Sequence, residues 1–515
     1  MTEQQSPAQP GPMTGPALAI TAVALALGTF MQVLDSTIAN VSLPTISGDL
    51  GVSPSQGTWV ITSFAVANGV SVPMTGWLMQ RYGVVKTFVA SVALFTLFSM
   101  LCGLSWSMGS LILFRILQGA TSGPLIPGSQ ALLLSIFPAN RRGTALGVWS
   151  VTTLVAPVCG PLLGGYISDN WSWPWIFLIN LPVGVVCGVI CWRNLAARET
   201  PTRRLPVDTV GLGLLILFVG SLQVMLDTGK DADWFSSPVI VALACIAGVS
   251  FCAWLIWETT TPYPIVDLSL FRSRNFALGT LAYSAGYAIF FGNNLLLPLW
   301  LQTQVGYVAT WAGMVAAPSG VVALLCTPFA TRSLQKYDAR MVASVAMVAF
   351  AASYFMRAGF TPDANFMTFV MPMLVQGVSM SVFFVSLVTI CLGDMPPQRT
   401  PAAAGLSNFC RYTAGSFAAS VTTTLWDNRE TVHQSRMAEN APDAVLSGAL
   451  DQLQHVGLTG LQALGSVTNI AVRQAYALAS VDFFWASGWL MLLAVPLIWL
   501  TRRPGAPGGA GAAAD

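Results

Sequence analysis

Charge is what this sequence lacks. Asp, Glu, Lys and Arg together make up 9% of its 515 residues, against about 25% in an ordinary soluble domain, and its mean hydropathy is +0.66. The only two histidines, His433 and His455, lie in one polar segment near the end of the chain. Histidine-based metal sites and catalytic triads therefore have no residues from which to be built. There is no G-x-x-x-x-G-K-[ST] loop and no polar domain to hold one, so nucleotide hydrolysis is not the expected energy source. A net charge of +2 gives no reason to expect nucleic acid. All nine cysteines fall within apolar runs. Cys187 and Cys191 share a helix face, but no third ligand accompanies them, and they read as small apolar filler.

What the chain does have is a succession of apolar stretches, centred near residues 27, 67, 94, 122, 155, 184, 217, 246, 290, 320, 349, 379, 413 and 490. Crossing a bilayer takes about 20 residues of helix, whereas barrel strands would be short and alternating. The expectation is an all-α polytopic membrane protein with 14 transmembrane helices. The leading residues 1–16 carry no basic region and no cleavage site, so the first span reads as retained. Residues 502–515 read as a disordered low-complexity tail. Lys and Arg set the orientation. With both termini cytoplasmic, 16 of the 23 fall on inner loops. Lys230, Arg357, Arg429, Arg436 and Arg473 fall outside, and Arg115 and Arg411 remain within the membrane.

Short matches recur eight spans apart. Met79-Gln80-Arg81-Tyr82-Gly83 parallels Leu334-Gln335-Lys336-Tyr337-Asp338, and Leu117-Gln118-Gly119 parallels Val375-Gln376-Gly377. This spacing predicts a six-helix bundle over 17–195, two additional helices within 207–257, and a second six-helix bundle over 275–501. Parallel repeats with the site between them characterise the major facilitator fold. Arg115 aligns with Met373, which assigns a buried cation to one half only.

Asp35 lies in the first span and Arg115 in the fourth. An ionisable side chain at mid-membrane costs about 2.5–3.5 kcal/mol on insertion scales, so it marks a working or paired group. A desolvated carboxylate suits a group that loads and releases a proton; an arginine stays charged and can only change partners. Structural bracing is the alternative for each, although a static brace could use a cheaper residue than arginine. Gln32, Asn68, Gln130, Asn293, Asn294, Gln376 and Asn408 are polar positions in apolar spans and candidates for a cavity lining, as are Tyr283, Tyr287, Phe290 and Phe291. Arg411 could meet an anionic substrate, pair with Asp35 across the bundles, or form a structural ion pair. Gly160, Pro161, Gly164 and Gly165 allow close helix approach and a bend, which serves a hinge or plain packing. Within the outer polar segment 428–479, Val445, Leu446, Leu450, Leu453 and Val456 recur at helical spacing. That helix could dock a partner or fold over the protein.

Several runs resemble the 14-span drug:proton antiporters of the major facilitator superfamily. They are Val33-Leu34-Asp35-Ser36-Thr37-Ile38-Ala39-Asn40, Arg115-Ile116-Leu117-Gln118-Gly119 and Ala156-Pro157-Val158-Cys159-Gly160-Pro161-Leu162-Leu163-Gly164-Gly165. The resemblance implies proton coupling through Asp35 and Arg115, a proton gradient in place of any cofactor, and no enzymatic activity. It also implies export of hydrophobic or amphipathic drugs across a bacterial inner membrane, with a periplasmic membrane-fusion adaptor and an outer-membrane channel as partners. The superfamily's loop pattern G-x-L-x-D-R-x-G is met by Gly76, Arg81 and Gly83 as a cytoplasmic gate. Gln80 stands where the acid belongs, which places a charge-relay account of that gate in doubt. A dedicated exporter of an endogenous metabolite and a non-transporting receptor or scaffold stay open as rivals.

Overall fold

The computed structural model describes residues 11–503 except 139–140 and 441–442, and omits the side chains of 41, 54, 55, 151, 153, 154, 158, 161, 162, 169, 309, 440 and 443–446. The tail after 503, most of the leading tail, and the side chains of Val445 and Leu446 thus lie outside the described residues. Among the described residues the chain is helical throughout, with no strand. Its first bundle comprises α1 (Gly15–Asp49), α2 (Trp59–Ser71), α3 (Thr75–Tyr82), α4 (Val84–Gly103), α5 (Met108–Ser122), α6 (Leu125–Ile136), α7 (Arg142–Asn170) and α8 (Asn180–Leu195). Two helices follow, α9 (Thr209–Thr228) and α10 (Pro238–Thr260). The rest is α11 (Arg274–Trp300), α12 (Ala309–Lys336), α13 (Ala339–Arg357), α14 (Phe366–Leu392), α15 (Thr400–Asn440), α16 (Asp443–His455) and α17 (Gly460–Trp499).

Proline explains two interruptions. Pro73 separates α2 from α3 and Pro124 separates α5 from α6, because proline removes a backbone donor and crowds the preceding turn. Among the described residues nine helices are long and apolar enough to cross a membrane. The expected centres at 67, 122, 155, 290 and 413 also fall on helices, but those helices do not meet that measure. The outer segment 428–479 is mostly not a loop. α15 and α17 prolong through it side by side, with α16 at their tip.

The two bundles meet through glycine at the end that carries the chain termini. A methyl group at Gly76 would lie 2.6 Å from Ala402 Cβ, one at Gly147 would lie 2.5 Å from Thr331 Cγ2, and one at Gly405 would lie 3.0 Å from the Val72 carbonyl. At the opposite end α9 sits between α2 and α15. Ser420 Oγ donates to the Leu226 carbonyl at 2.8 Å, while a methyl at Gly69 would lie 2.9 Å from Val219. The inserted helix therefore occupies the seam, and the molecule is closed at its termini end.

The two repeated loops start their helices differently. Gly83 adopts φ +95° before α4, a conformation glycine takes without strain. The α4 amides are capped from afar, with Val85 N and Lys86 N donating to the Glu199 carboxylate at 3.0 and 2.8 Å. Arg81 donates to the Leu205 carbonyl and Trp77 Nε1 to the Pro206 carbonyl. The gate residues are thus tied to the connecting segment rather than to an acid at position 80. At the matching place Asp338 caps α13 itself, accepting from Arg340 N at 3.0 Å, and it also binds the guanidinium groups of Arg340 and Arg503. The Arg340 hydrogen bonds hold its carboxyl down at about 2. A lowered folded-state pKa contributes stability above the unfolded value near 3.9, and that contribution is lost as pH falls through about 2. Asp338→Asn should lower stability at pH 7 by about 1 kcal/mol. Thermal unfolding should show the gap from wild type narrowing as pH falls from about 4.

Candidate functional site

Asp35 and Arg115 meet. Arg115 Nη1 donates to Asp35 Oδ2 at 2.6 Å, with both side chains buried. Among the described residues no other ion pair has both partners this deeply buried. Gly119 makes the approach possible. A methyl there would lie 2.5 Å from the Phe64 carbonyl, so its absence brings α5 against α2 and lets Arg115 Nε reach the Val60 carbonyl at 3.0 Å. The guanidinium lies 4.2 Å from the Phe64 ring and 5.5 Å from that of Phe177, and desolvated cation–π contacts of this kind are attractive.

Two amides complete the carboxylate's shell. Gln118 Nε2 donates to Asp35 Oδ1 at 3.0 Å and Asn180 Nδ2 donates to the same oxygen at 2.9 Å. Gln118 Oε1 accepts from Arg115 Nη1 at 2.8 Å, and Asn180 also donates to Ser99 Oγ. Neither amide was singled out from sequence for this role. The available signal was an asparagine opening the apolar run of α8 and a glutamine one turn from Arg115. Bonds to an ionised partner are about twice as strong as neutral ones, so this cage ties α1, α5 and α8 together around the pair.

The remaining candidates separate into groups. Asn408 Nδ2 donates to Gln130 Oε1 at 2.9 Å, which joins α15 to α6 across the bundles. Arg411 Nη2 donates to Asn408 Oδ1 at 2.9 Å, and its guanidinium stands 4.3 Å from the Tyr412 ring, 4.6 Å from Tyr287 and 5.6 Å from Tyr283. Arg411 therefore does not pair with Asp35, whose partners all belong to the first bundle, and it forms no ion pair among the described residues. Tyr283 and Phe290 are buried, packed on Phe383, Phe384 and Phe350, whereas Tyr287 and Phe291 are half-buried and stack on each other. Asn293 is buried and bonds back to the Ile289 carbonyl, Gln32 is buried beside Asp35's helix turn, and Asn68 is half-buried. Gly160 and Gly164 bring α7 onto α1: methyl groups there would lie 2.1 Å from Thr37 Oγ1 and 2.9 Å from the Ile38 carbonyl. Gly165 is half-buried, and the Pro161 side chain lies outside the described residues.

The largest departure from the sequence reading is Arg357. It was counted in an outer loop, yet it is fully buried at the end of α13 and contacts Gln376. Charge counting failed because it locates a residue at a helix end and does not register that the side chain there turns into the bundle. Both halves, not one, hold buried cations.

The chain is helical, and a buried ion pair lies among the helices of its first half. Residues 25–419 match the Major Facilitator Superfamily profile. The chain belongs to that superfamily. It is 47% identical over 511 residues to the multidrug export protein EmrB of Escherichia coli K12, covering 98% of this chain and 99% of that one. It is 44% identical over 502 residues to the fatty acid resistance protein FarB of Neisseria gonorrhoeae, covering 97% and 99%. Among solved superfamily structures, the proton:xylose symporter XylE superposes with a TM-score of 0.60 at 12% identity, covering 94% of this chain and 95% of the other. Membership makes this a multi-pass membrane transporter rather than an enzyme.

The cage predicts a ranked response. Arg115→Lys keeps the charge but loses the planar fork and the Val60 bond, and should cost about 1–3 kcal/mol. Arg115→Met leaves the carboxylate unpaired and should cost about 3–5 kcal/mol. Denaturant unfolding of the purified protein checks the order; equal stability of all three would contradict the geometry.

Proposed function

We propose that the chain is a proton-coupled multidrug exporter. The observation that carries this reading is the Asp35–Arg115 pair, a titratable acid held in the membrane by a partner that cannot titrate. Protonation of Asp35 would free Arg115, and the α1–α7 contact at Gly160 and Gly164 lies one turn from Asp35 on the same helix. The proton site is therefore mechanically close to a helix interface. The full-length likeness to EmrB supports the export of drugs, and the likeness to FarB extends the substrates to amphipathic acids. Energy comes from the proton gradient, with no cofactor.

The bias of Lys and Arg supports a cytoplasmic position for the termini end, and the relatives support a bacterial inner membrane. The conformation is then closed to the cytoplasm. The helical prolongation made by α15, α16 and α17 projects on the periplasmic side and exposes Val456, Leu461 and Ile470. We assign it to a periplasmic membrane-fusion adaptor, which connects to an outer-membrane channel.

Asp35→Asn retains shape and removes titration. In proteoliposomes it should insert normally and lose gradient-driven efflux of a cationic dye; efflux at the wild-type rate would refute the coupling role. Removing about residues 440–465 should lower drug resistance of whole cells several-fold while transport in inverted vesicles persists. Complete loss of vesicle transport would instead make the prolongation part of the gate.

A further inference from the structure

The second bundle rebuilds the frame of the first around a cation that no carboxylate among the described residues meets. A methyl at Gly377 would lie 2.5 Å from the Ser319 carbonyl, just as one at Gly119 would lie 2.5 Å from that of Phe64. Gln376 Nε2 donates to Asn294 Oδ1 at 3.0 Å, as Gln118 Nε2 donates to Asp35 Oδ1 at 3.0 Å. Asn294 thus stands in the place of Asp35. Met373 stands in the place of Arg115, and the guanidinium arrives instead from α13. Arg357 Nη2 donates to Gln376 Oε1 and, at 3.4 Å, to Ser353 Oγ, with Met373 Sδ at 3.6 Å. The rings of Tyr354 and Phe484 lie 5.2 and 5.8 Å away, as Phe64 and Phe177 flank Arg115.

The difference is electrostatic. Arg357 is fully buried, forms no ion pair among the described residues, and its Nε and Nη1 have no hydrogen-bond partner among them. A guanidinium stays charged, and burying it without a counter-charge costs several kcal/mol. Its unused Nε and Nη1 groups are each donors that can bind an anionic oxygen. Asn294, the half-buried member of the chain Asn294–Gln376–Arg357, lies on the same face of α11 as Tyr287 and Phe291. Those two residues pack toward Gly415 on α15 at the seam. An anion moving along this face would meet Asn294 first and Arg357 behind it.

We propose that Arg357, with Gln376 and Asn294, is an anion site of the second bundle, taking a monovalent anion that is either the carboxylate of an amphipathic substrate or free chloride. The word substrate rests on the export reading; the site itself does not. Purified full-length protein, without any gradient, is titrated with decanoate, with decanol and with chloride against gluconate, and followed by tryptophan fluorescence and thermal unfolding. Wild type should bind decanoate at least about tenfold more tightly than decanol. Asn294→Asp supplies the missing carboxylate from within. It should raise the unfolding temperature and weaken decanoate binding by at least about tenfold, and Arg357→Met should lose the same response. Decanoate binding indifferent to chloride assigns the site to substrate; competition by chloride, with chloride stabilising wild type but not Asn294→Asp, assigns it to the free ion. If Asn294→Asp is no more stable and responds to both anions as wild type does, the site does not exist. Because no gradient is applied, that failure would leave the export reading standing, and failure of Asp35→Asn would leave the anion site standing.

Discussion

A carboxylate and a guanidinium buried together constrain the first bundle more than any other contact. Each ion costs several kcal/mol to desolvate, so neither α1 nor α5 can sit where it does without the other. The requirement spreads outward. Arg115 must also find the Val60 carbonyl on α2, and Asp35 must accept from Asn180 on α8. Four helices are thereby fixed around two charges. Gly119, Gly160 and Gly164 are consequences: without the missing side chains, the backbones could not come close enough for these bonds. Breaking the pair would release several helix contacts at once, which is what a two-state element needs.

The seam between the bundles is built on a different principle. Its termini end is closed by glycine against backbone or methyl groups, with the Asn408–Gln130 bond as a polar link across it. One net hydrogen bond contributes about 1 kcal/mol, and the shape-matched surfaces add dispersion that is forfeited once they part by about 1 Å. Such a surface opens without stranding a charge. The expensive interactions are kept inside each bundle and the inexpensive ones between them, so bundles can rock as rigid bodies.

Much of this was legible in the sequence, and the failures share a cause. Asp35 and Arg115 stood out because charge is so rare in the apolar runs, and the repeat was visible in Gln118-Gly119 and Gln376-Gly377 because glycine-mediated packing demands the same residues twice. The named cavity candidates are buried to different degrees. Tyr283 and Tyr287 are four apart, yet one is buried in the core and the other is half-buried, because the helix turns its face by about 40° over that interval. Asn180 was overlooked because it stands at the very start of its helix rather than inside the apolar run. Arg357 was assigned to a loop because hydropathy marks where a helix ends, not the direction its last side chain takes. Gln80 stands where the superfamily pattern has an acid. The stabilising acid is Glu199, from a segment 119 residues downstream of that loop position, a pairing no local pattern encodes.

The two bundles therefore differ in charge economy despite a shared frame. In the first, cation and anion are both covalent parts of the protein and neutralise each other. In the second, the amides of Asn294 and Gln376 stand where a carboxylate would neutralise Arg357, and amides solvate a cation without cancelling it. Arg411 repeats the theme one layer away, held by Asn408 and faced by three tyrosine rings instead of an acid. An amide in place of the acid and an arginine on the neighbouring helix distinguish the halves, so that the first holds a neutralised charge pair and the second a buried guanidinium with no ion-pair partner among the described residues.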